Sequence, residues 1–153
     1  TMDTPLDFDL DLAKLKTDEN PVYYVQYGHA RIASLFREAE SRVRGPLDSG
    51  SLASEIHSRN GRELMSPEEK NLMELVLNFP EIIQECSKPV VFPVHRLPGY
   101  LLDLARGFHG LYGAHRIFGS GEDEKPRLAL AAAARQVLAS GLALMKVSAP
   151  DRM

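Results

Sequence analysis

The pattern that most constrains the fold is an apolar seam between residues 97 and 115. An α-helix completes one turn in about 3.6 residues, so side chains that recur in alternating steps of four and three lie on one face. The chain keeps this spacing through Leu97, Leu101, Leu104, Phe108, Leu111 and His115. Pro98 lies near the start, where proline is tolerated. The seam therefore predicts a long amphipathic helix.

Capping residues and helix breakers predict four more helices, which makes the chain an all-α antiparallel bundle of about five helices. Asn-Pro and Ser-Pro pairs are typical helix starts, and Gly-Pro and Lys-Pro pairs are typical ends. The predicted helices run from Pro21 to about Arg44, from Pro67 to about Phe79, over residues 81–87, through the seam, and onward from Pro126. The segment 45–65 is rich in Gly, Ser and Asn, and we interpret it as a surface connection with a short amphipathic turn or helix around Leu52 and Ile56.

The first 19 residues follow a different pattern. In LDFDLDLAKLK, apolar residues alternate with Asp7, Asp9 and Asp11, and a period of two is typical of a strand. We therefore predict an extended segment over residues 1–19 and a helical domain over residues 20–153.

Composition excludes several classes of protein. A chain of 153 residues with 44% hydrophobic and 25% charged residues is typical of one soluble domain. The net charge of −3 gives no general attraction to nucleic acid, so such contact would need a local patch. Cys86 is the single cysteine, which excludes an internal disulfide and favours a reducing compartment such as the cytosol. We find no apolar run that predicts a membrane span, and no leader.

No constellation of residues predicts catalysis or metal binding. His29, His109 and His115 lack the spacing of zinc ligands and are more typical of satisfied or exposed histidines. The loop GSGEDEKP has the glycines of a phosphate loop but neither a preceding strand nor Ser or Thr after its lysine. Cys86 has no obvious base beside it, so we expect no nucleophile.

The stretch NPVYYVQYGHAR carries the strongest sign of binding. On a helical wheel, the core face of this helix comprises Val25, Ile32, Phe36, Ala39 and Val43. Tyr24, Tyr27 and Arg31 lie together on another side. Two phenol rings beside a guanidinium can form a platform for unstacked bases. The alternative is that the tyrosines pack at a bundle seam with wet hydroxyl groups, which is the more common role of such aromatic residues.

Three motifs, in this order, resemble one known family. The stretches NPVYYVQYGHARI, HRLPGYLLDLARGFHGLYGAHRIF and RLALAAAARQVLASGLALMKVSAPDRM are similar to the C-terminal, DALR-type anticodon-binding domain of arginyl-tRNA synthetases. The resemblance implies a helical domain that binds tRNA. It also implies that the extended segment leaves a catalytic domain. The region 45–90 is the least diagnostic part.

The resemblance also implies a set of binding residues. Tyr24 and Tyr27 would lie against the anticodon loop, with His29 and Arg31 completing that motif. Tyr112 and the last residue, Met153, would belong to a pocket for a flipped-out base. Arg31, Arg106 and Arg116 would lie near the RNA backbone. Gly28 replaces the family's alanine, which should cost up to about 1 kcal/mol of helix stability and leave the platform in place.

What the resemblance implies for the whole protein is an enzyme that ligates arginine to tRNA(Arg). Such a parent would be a cytoplasmic monomer that uses ATP with magnesium in its catalytic domain. This chain lacks HIGH and KMSKS signatures, so we expect it to bind the anticodon stem-loop, weakly and with strong salt dependence, and to need no cofactor itself. Two alternatives remain: the equivalent domain of another class I synthetase, and a helical module whose tyrosine face docks on a partner protein.

Overall fold

The computed structural model describes residues 9–17, 19–43, 66–88 and 93–153. Its helices are α1 (Leu10–Lys14), α2 (Pro21–Val43), α3 (Pro67–Leu77), α4 (Phe79–Cys86), α5 (Arg96–Ala114) and α6 (Glu124–Leu144), with a 3-10 turn at Gly121–Asp123. The prediction of an all-α fold is confirmed. The turn or helix predicted within residues 45–65 lies outside the described residues.

Local capping sets the helix starts, as the sequence predicted. The Asn20 side-chain oxygen accepts a hydrogen bond from the Val22 backbone N–H at 3.1 Å. The Ser66 hydroxyl accepts one from the Glu69 N–H at 3.2 Å, and the Glu69 carboxylate accepts one from the Ser66 N–H at 2.8 Å. This reciprocal pair is a capping box, and it satisfies N–H groups that have no partner within the helix.

The extended conformation predicted for residues 1–19 is wrong at Leu10–Lys14, which form helix α1. The Asp9 carboxylate accepts a hydrogen bond from the Asp11 N–H at 2.9 Å, as a helix cap does. A strand needs a neighbouring strand to pair its backbone, and the described residues contain none, whereas a helix pairs its own. Residues 1–8 lie outside the described part of the chain. The predicted boundary at residue 19, between the entry segment and the helical domain, stays a prediction.

Helix α5 lies at the centre of the bundle and packs against α2, α3, α4 and α6. Its predicted seam is confirmed, because Leu101, Leu104, Phe108 and Leu111 are fully buried. At the last predicted position of the seam, His115 is only half-buried, and its Nε2 lies 3.1 Å from a Glu68 carboxylate oxygen.

Helices α3 and α5 run antiparallel. Glu68, at the start of α3, meets His115 at the end of α5. Near the other end, the Tyr100 hydroxyl donates a hydrogen bond to the Leu75 carbonyl at 2.7 Å. Desolvation of the buried phenol raises the pKa of Tyr100 to about 12. The bundle topology predicted from the sequence is thus present in this pair.

Small residues bring α6 close to α5. A Cβ atom at Gly141 would overlap the Leu101 side chain. Ala131 and Ala134, in the predicted alanine run, are fully buried. Larger residues here would push the two helices apart, because a core packed at crystal-like density has no spare room.

Among the described residues, the segment Gly121–Leu144 is long and apolar enough to cross a membrane by length and composition alone, and an 18-residue window within it has a mean hydropathy of 1.2. Half of that window is buried within the bundle, as in the core helix of a soluble protein. The segment is therefore only weak evidence for a membrane span, and the absence of a membrane partner stays a prediction.

A tight turn after α6 directs the last seven residues, 147–153, which we call the tail. The Val147 N–H bonds to the Leu142 carbonyl at 2.9 Å, and the Lys146 N–H bonds to the Ala143 carbonyl at 3.0 Å. Lys146 has a φ of 59°, which is the left-handed conformation that glycine usually supplies at this position. The turn sends the tail back along α2.

Candidate functional site

Helix α2 carries three chemically different faces. The predicted core face is confirmed at Val25, Ile32 and Ala39, which are at most 4% exposed. Phe36 is partly buried against the core, and the Val43 side chain lies outside the described residues. The other two faces bear the aromatic pocket and the tail contacts described below.

The aromatic pocket is an open depression between α2 and α5 with a volume of about 360 Å³. Its walls are formed by Tyr23, Tyr24, Tyr27 and Arg31 from α2 and His109 from α5. Tyr27 is the most accessible of the three tyrosines, with 38% of its surface exposed, whereas Tyr23 and Tyr24 are half-buried. The pocket is therefore lined by flat rings and one permanent cation.

The rings hold one another in a fixed arrangement. His109 and Tyr27 are stacked nearly parallel, with ring centroids 5.7 Å apart and an angle of 10° between the planes. Tyr24 meets the same imidazole at 5.2 Å and 54°. Such offset and tilted contacts are favourable ring geometries. His109 thus forms the shared support of both tyrosines.

Arg31 contacts two aromatic rings. Its guanidinium carbon lies 4.5 Å from the centre of the Tyr112 ring and 5.9 Å from the centre of the Tyr27 ring. The same guanidinium donates a long hydrogen bond of 3.4 Å to the Tyr27 hydroxyl. Cation–π contact of this kind fixes the charge while most of the N–H donors stay available for a ligand.

His109 carries the least satisfied polar atom of the pocket. Its Nε2 is buried and has no hydrogen-bond partner. Desolvation, and then the positive charge of Arg31, lower the pKa of His109 below its ordinary value. The imidazole is therefore neutral at physiological pH.

Gly28 explains how α2 and α5 approach each other beside the pocket. A Cβ atom at this position would lie 3.2 Å from the Ala105 Cβ and 3.8 Å from the His109 Nε2. The first distance is tighter than ordinary contact, so an alanine would require a small shift of α5. The glycine predicted only to loosen the helix also sets the spacing between the helices.

The tail lies on a separate face of α2. The Gln26 amide donates a hydrogen bond to the Ser148 carbonyl at 2.9 Å. His29, which is 4% exposed, has its Nδ1 2.9 Å from the Pro150 carbonyl. A carbonyl only accepts, so Nδ1 carries the proton and donates. We call this the tail-binding face.

Asp151 anchors the same tail through two arginines. Its carboxylate accepts a hydrogen bond from Arg135 at 2.7 Å, and its backbone carbonyl accepts one from Arg37 at 2.9 Å. The bond from Arg135 is the main cause that lowers the pKa of Asp151. The tail is therefore fixed to α2 and α6 up to its last two residues.

The structure brings four of the seven predicted binding residues together and separates the other three. Tyr24, Tyr27 and Arg31 line the pocket, and Tyr112 holds Arg31. The described pocket lining does not include His29, Arg116 or Met153. His29 is buried under the tail, and Arg116 is exposed just after α5. Met153, at the end of the tail, is 51% exposed.

Sequence reasoning missed His109, which we interpreted as a satisfied or exposed histidine. A signal was available, because His109 and Tyr112 are three residues apart and such residues are neighbours on a helix surface.

Among the residues that the structure describes, no group of three His, Cys, Asp or Glu side chains could hold a metal ion.

Comparison with known proteins gives a consistent result. Residues 25–153 match the family described as DALR anticodon binding domain. The chain is 44% identical over 155 residues to an arginine–tRNA ligase of Desulfosudis oleivorans, and 42% identical over 152 residues to one of Geobacter metallireducens. Each alignment covers 99% of this chain but only 26% and 25%, respectively, of the relative. This chain therefore spans about a quarter of the length of these relatives.

The fold is similar to part of a solved structure. The arginyl-tRNA synthetase of Thermus thermophilus superposes with a TM-score of 0.72 at 28% identity. The match covers 97% of this chain and 24% of that one. The helical bundle described above is thus similar to a part of a much larger enzyme.

Proposed function

We propose that this chain, which belongs to the DALR anticodon binding domain family, binds the anticodon stem-loop of an arginine tRNA as part of a larger arginine–tRNA ligase. The observation that carries the proposal is the aromatic pocket, in which stacked rings flank a cation held in place by Tyr112. Family membership supports tRNA as the class of ligand, and the pocket supports stacking beside a cation as the chemistry that would bind it.

The pocket suits unpaired bases. A splayed base presents a flat face, and Tyr27 offers an accessible ring on which that face can stack. Each such contact is worth about 1–3 kcal/mol in proteins that bind single-stranded nucleic acid. Arg31 supplies donors for a phosphate or for the edge of the stacked base, so recognition combines stacking with one directed charge.

The remaining predicted residues act elsewhere in this proposal. Arg116 is exposed and contacts the RNA backbone. His29 is buried under the tail, so it contributes by holding the tail and makes no contact with RNA. That tail ends in Arg152 and Met153, both exposed, which form a second contact with the anticodon loop.

The chemistry of the whole enzyme is located outside this chain in our proposal. The relatives are about four times longer than the matched region. Their remaining length would contain the domain that uses ATP with magnesium, and that domain would contact this one. We further propose a cytoplasmic, monomeric parent.

A titration with RNA hairpins tests the function. The chain is mixed at low salt with the anticodon stem-loop of an arginine tRNA, and with the same hairpin altered at the central anticodon bases. We expect tighter binding to the unaltered loop. Equal affinity for all hairpins would contradict anticodon reading, and no binding at all would favour a module that docks on proteins.

Replacement of Tyr27 by alanine tests the site. We expect Tyr27→Ala to weaken hairpin binding by about 5- to 150-fold, the loss of one stacked base. The matched control is Val22→Ala, which removes an exposed apolar side chain from the same helix outside the pocket. Circular dichroism should show unchanged helicity in both variants. Equal affinity of the two variants would contradict the assignment.

A further inference from the structure

We propose that His109 is a positioning residue for RNA binding: its neutral imidazole holds Tyr27 in the orientation that accepts a base, and protonation of the imidazole releases Tyr27. The inference rests on the proposed function of the aromatic pocket. It gives a second α5 residue, beside Tyr112, a role in a site formed mainly by α2, and it gives the site a pH dependence of definite sign.

The contact between the two rings supports the positioning role. Tyr27 is attached to its surroundings by the parallel stack on His109, and by a long hydrogen bond and a cation–π contact from Arg31. Tyr27 remains 38% exposed, so part of its ring is available to a base. Without His109, Tyr27 would lose its ring support from α5 and keep only its contacts with Arg31, so it would sample more rotamers.

The surroundings of Nε2 explain why the ring must be neutral. This nitrogen is buried against the α2 backbone at Gly28 and has no partner. A neutral imidazole can carry its proton on Nδ1 and leave Nε2 as an unpaired acceptor, at a modest desolvation cost. A second proton would create a charged N–H donor at a place without an acceptor, which is far less favourable. The imidazolium would therefore have to leave the stack to reach water.

The charges around the imidazole act in the same direction. From α2, it faces the phenols of Tyr23, Tyr24 and Tyr27 and the guanidinium of Arg31. The described lining of the pocket includes no carboxylate. On α5 itself, the nearest acid and base, Asp103 and Arg106, pair with each other. No carboxylate of the described pocket lining is therefore placed to pair with a protonated His109, and Arg31 would repel it, in agreement with the lowered pKa of His109.

The expected pH dependence follows from these contacts. Protonation of His109 begins below the ordinary histidine pKa of about 6.5. RNA affinity should therefore weaken as the pH falls below that ordinary value and through the lowered pKa of His109. A histidine that contacted a phosphate directly would do the opposite, because RNA would stabilise its protonated form. The sign of the effect thus separates the two roles.

The experiment measures hairpin affinity as the pH is lowered from about 7.5, above the ordinary histidine pKa, to the most acidic value at which circular dichroism shows the chain still folded. We expect the unmodified chain to lose about fivefold on acidification, the lower end of one stacking contact. His109→Phe keeps a ring but cannot be protonated, so its affinity, whatever its value at neutral pH, should not fall on acidification. His109→Gln removes the ring and should bind weakly throughout. His95→Gln, at an exposed histidine before α5, should behave like the unmodified chain.

Two outcomes would overturn the proposal while leaving the proposed function intact. One is affinity that rises on acidification, and the other is a pH dependence that persists unchanged in His109→Phe. A second measurement needs no RNA: in an NMR titration of the free chain, the Tyr27 ring signals should shift with the His109 titration. Tyr27 signals that stay constant while His109 titrates would also contradict the positioning role.

Discussion

The aromatic pocket and the tail-binding face lie on the same helix, yet their polar groups are in opposite states. On the tail-binding face, Gln26 and His29 donate to backbone carbonyls of the tail. In the pocket, the His109 Nε2 has no partner, and Arg31 is held mainly by rings. A surface whose polar groups are all hydrogen-bonded within the protein is structural, whereas a surface with unpaired polar groups is suited to a ligand.

The two histidines show what this difference teaches. His29 lies in the motif that suggested RNA binding, but its ring is buried and satisfied. His109 appeared incidental, but it supports the tyrosines of the pocket. Residue type and motif therefore identified the right helix, and the state of the hydrogen bonds separates the binding role from the structural role.

The largest effect that tests the comparison is expected from His29→Ala. It would leave the Pro150 carbonyl without its donor and open a small cavity, so we expect a loss of about 2–3 kcal/mol in the free energy of unfolding. Denaturant unfolding measures this, with His95→Ala as the exposed control. Unchanged stability together with lost RNA binding would contradict the structural role and make His29 a contact residue.

A smaller effect, of opposite sign, is expected at the turn that directs the tail to its face. Lys146 has a φ of 59°, and a left-handed conformation costs an L-residue about 1–2 kcal/mol. Lys146→Gly should therefore raise the free energy of unfolding, by up to about 1 kcal/mol after the entropy of glycine is deducted. The control is Lys146→Ala, which keeps the strain and should bring no gain. Equal stability of the two variants would argue against strain at this turn.

The smallest effect concerns the ion pair that anchors the tail. Because the folded pKa of Asp151 is lowered, its carboxylate stabilises the fold above the unfolded pKa, and this stabilisation is lost as the pH falls through the folded value. The pair is exposed, so Asp151→Asn should cost less than about 1 kcal/mol at neutral pH.

Urea unfolding at neutral pH and near pH 3 would sharpen this point, since the ordinary aspartate pKa is about 3.9. The difference between the unmodified chain and Asp151→Asn should shrink on acidification. A difference that is equally large at both pH values would show that the carboxylate charge is not what holds the tail.

Local patterns in the sequence predicted the helices well. These patterns are the capping box at Ser66, the cap at Asn20 and the seam of α5. Each depends on residues within a few positions of one another, so it can be recognised without knowledge of the fold. The same reasoning failed at Leu10–Lys14, because a period of two in so short a segment does not determine whether a partner strand is available.

What the sequence by itself determined is the all-α fold, the capped starts of α2 and α3, the core face of α2 and the grouping of Tyr24, Tyr27 and Arg31. Only the tertiary structure decided which residues those side chains meet. Tyr27 stacks on His109, and Gln26 bonds to a tail residue 122 positions away. The physical reason is that caps and helical periodicity arise from neighbours along the chain, whereas a polar group's partner across the bundle depends on how the helices pack.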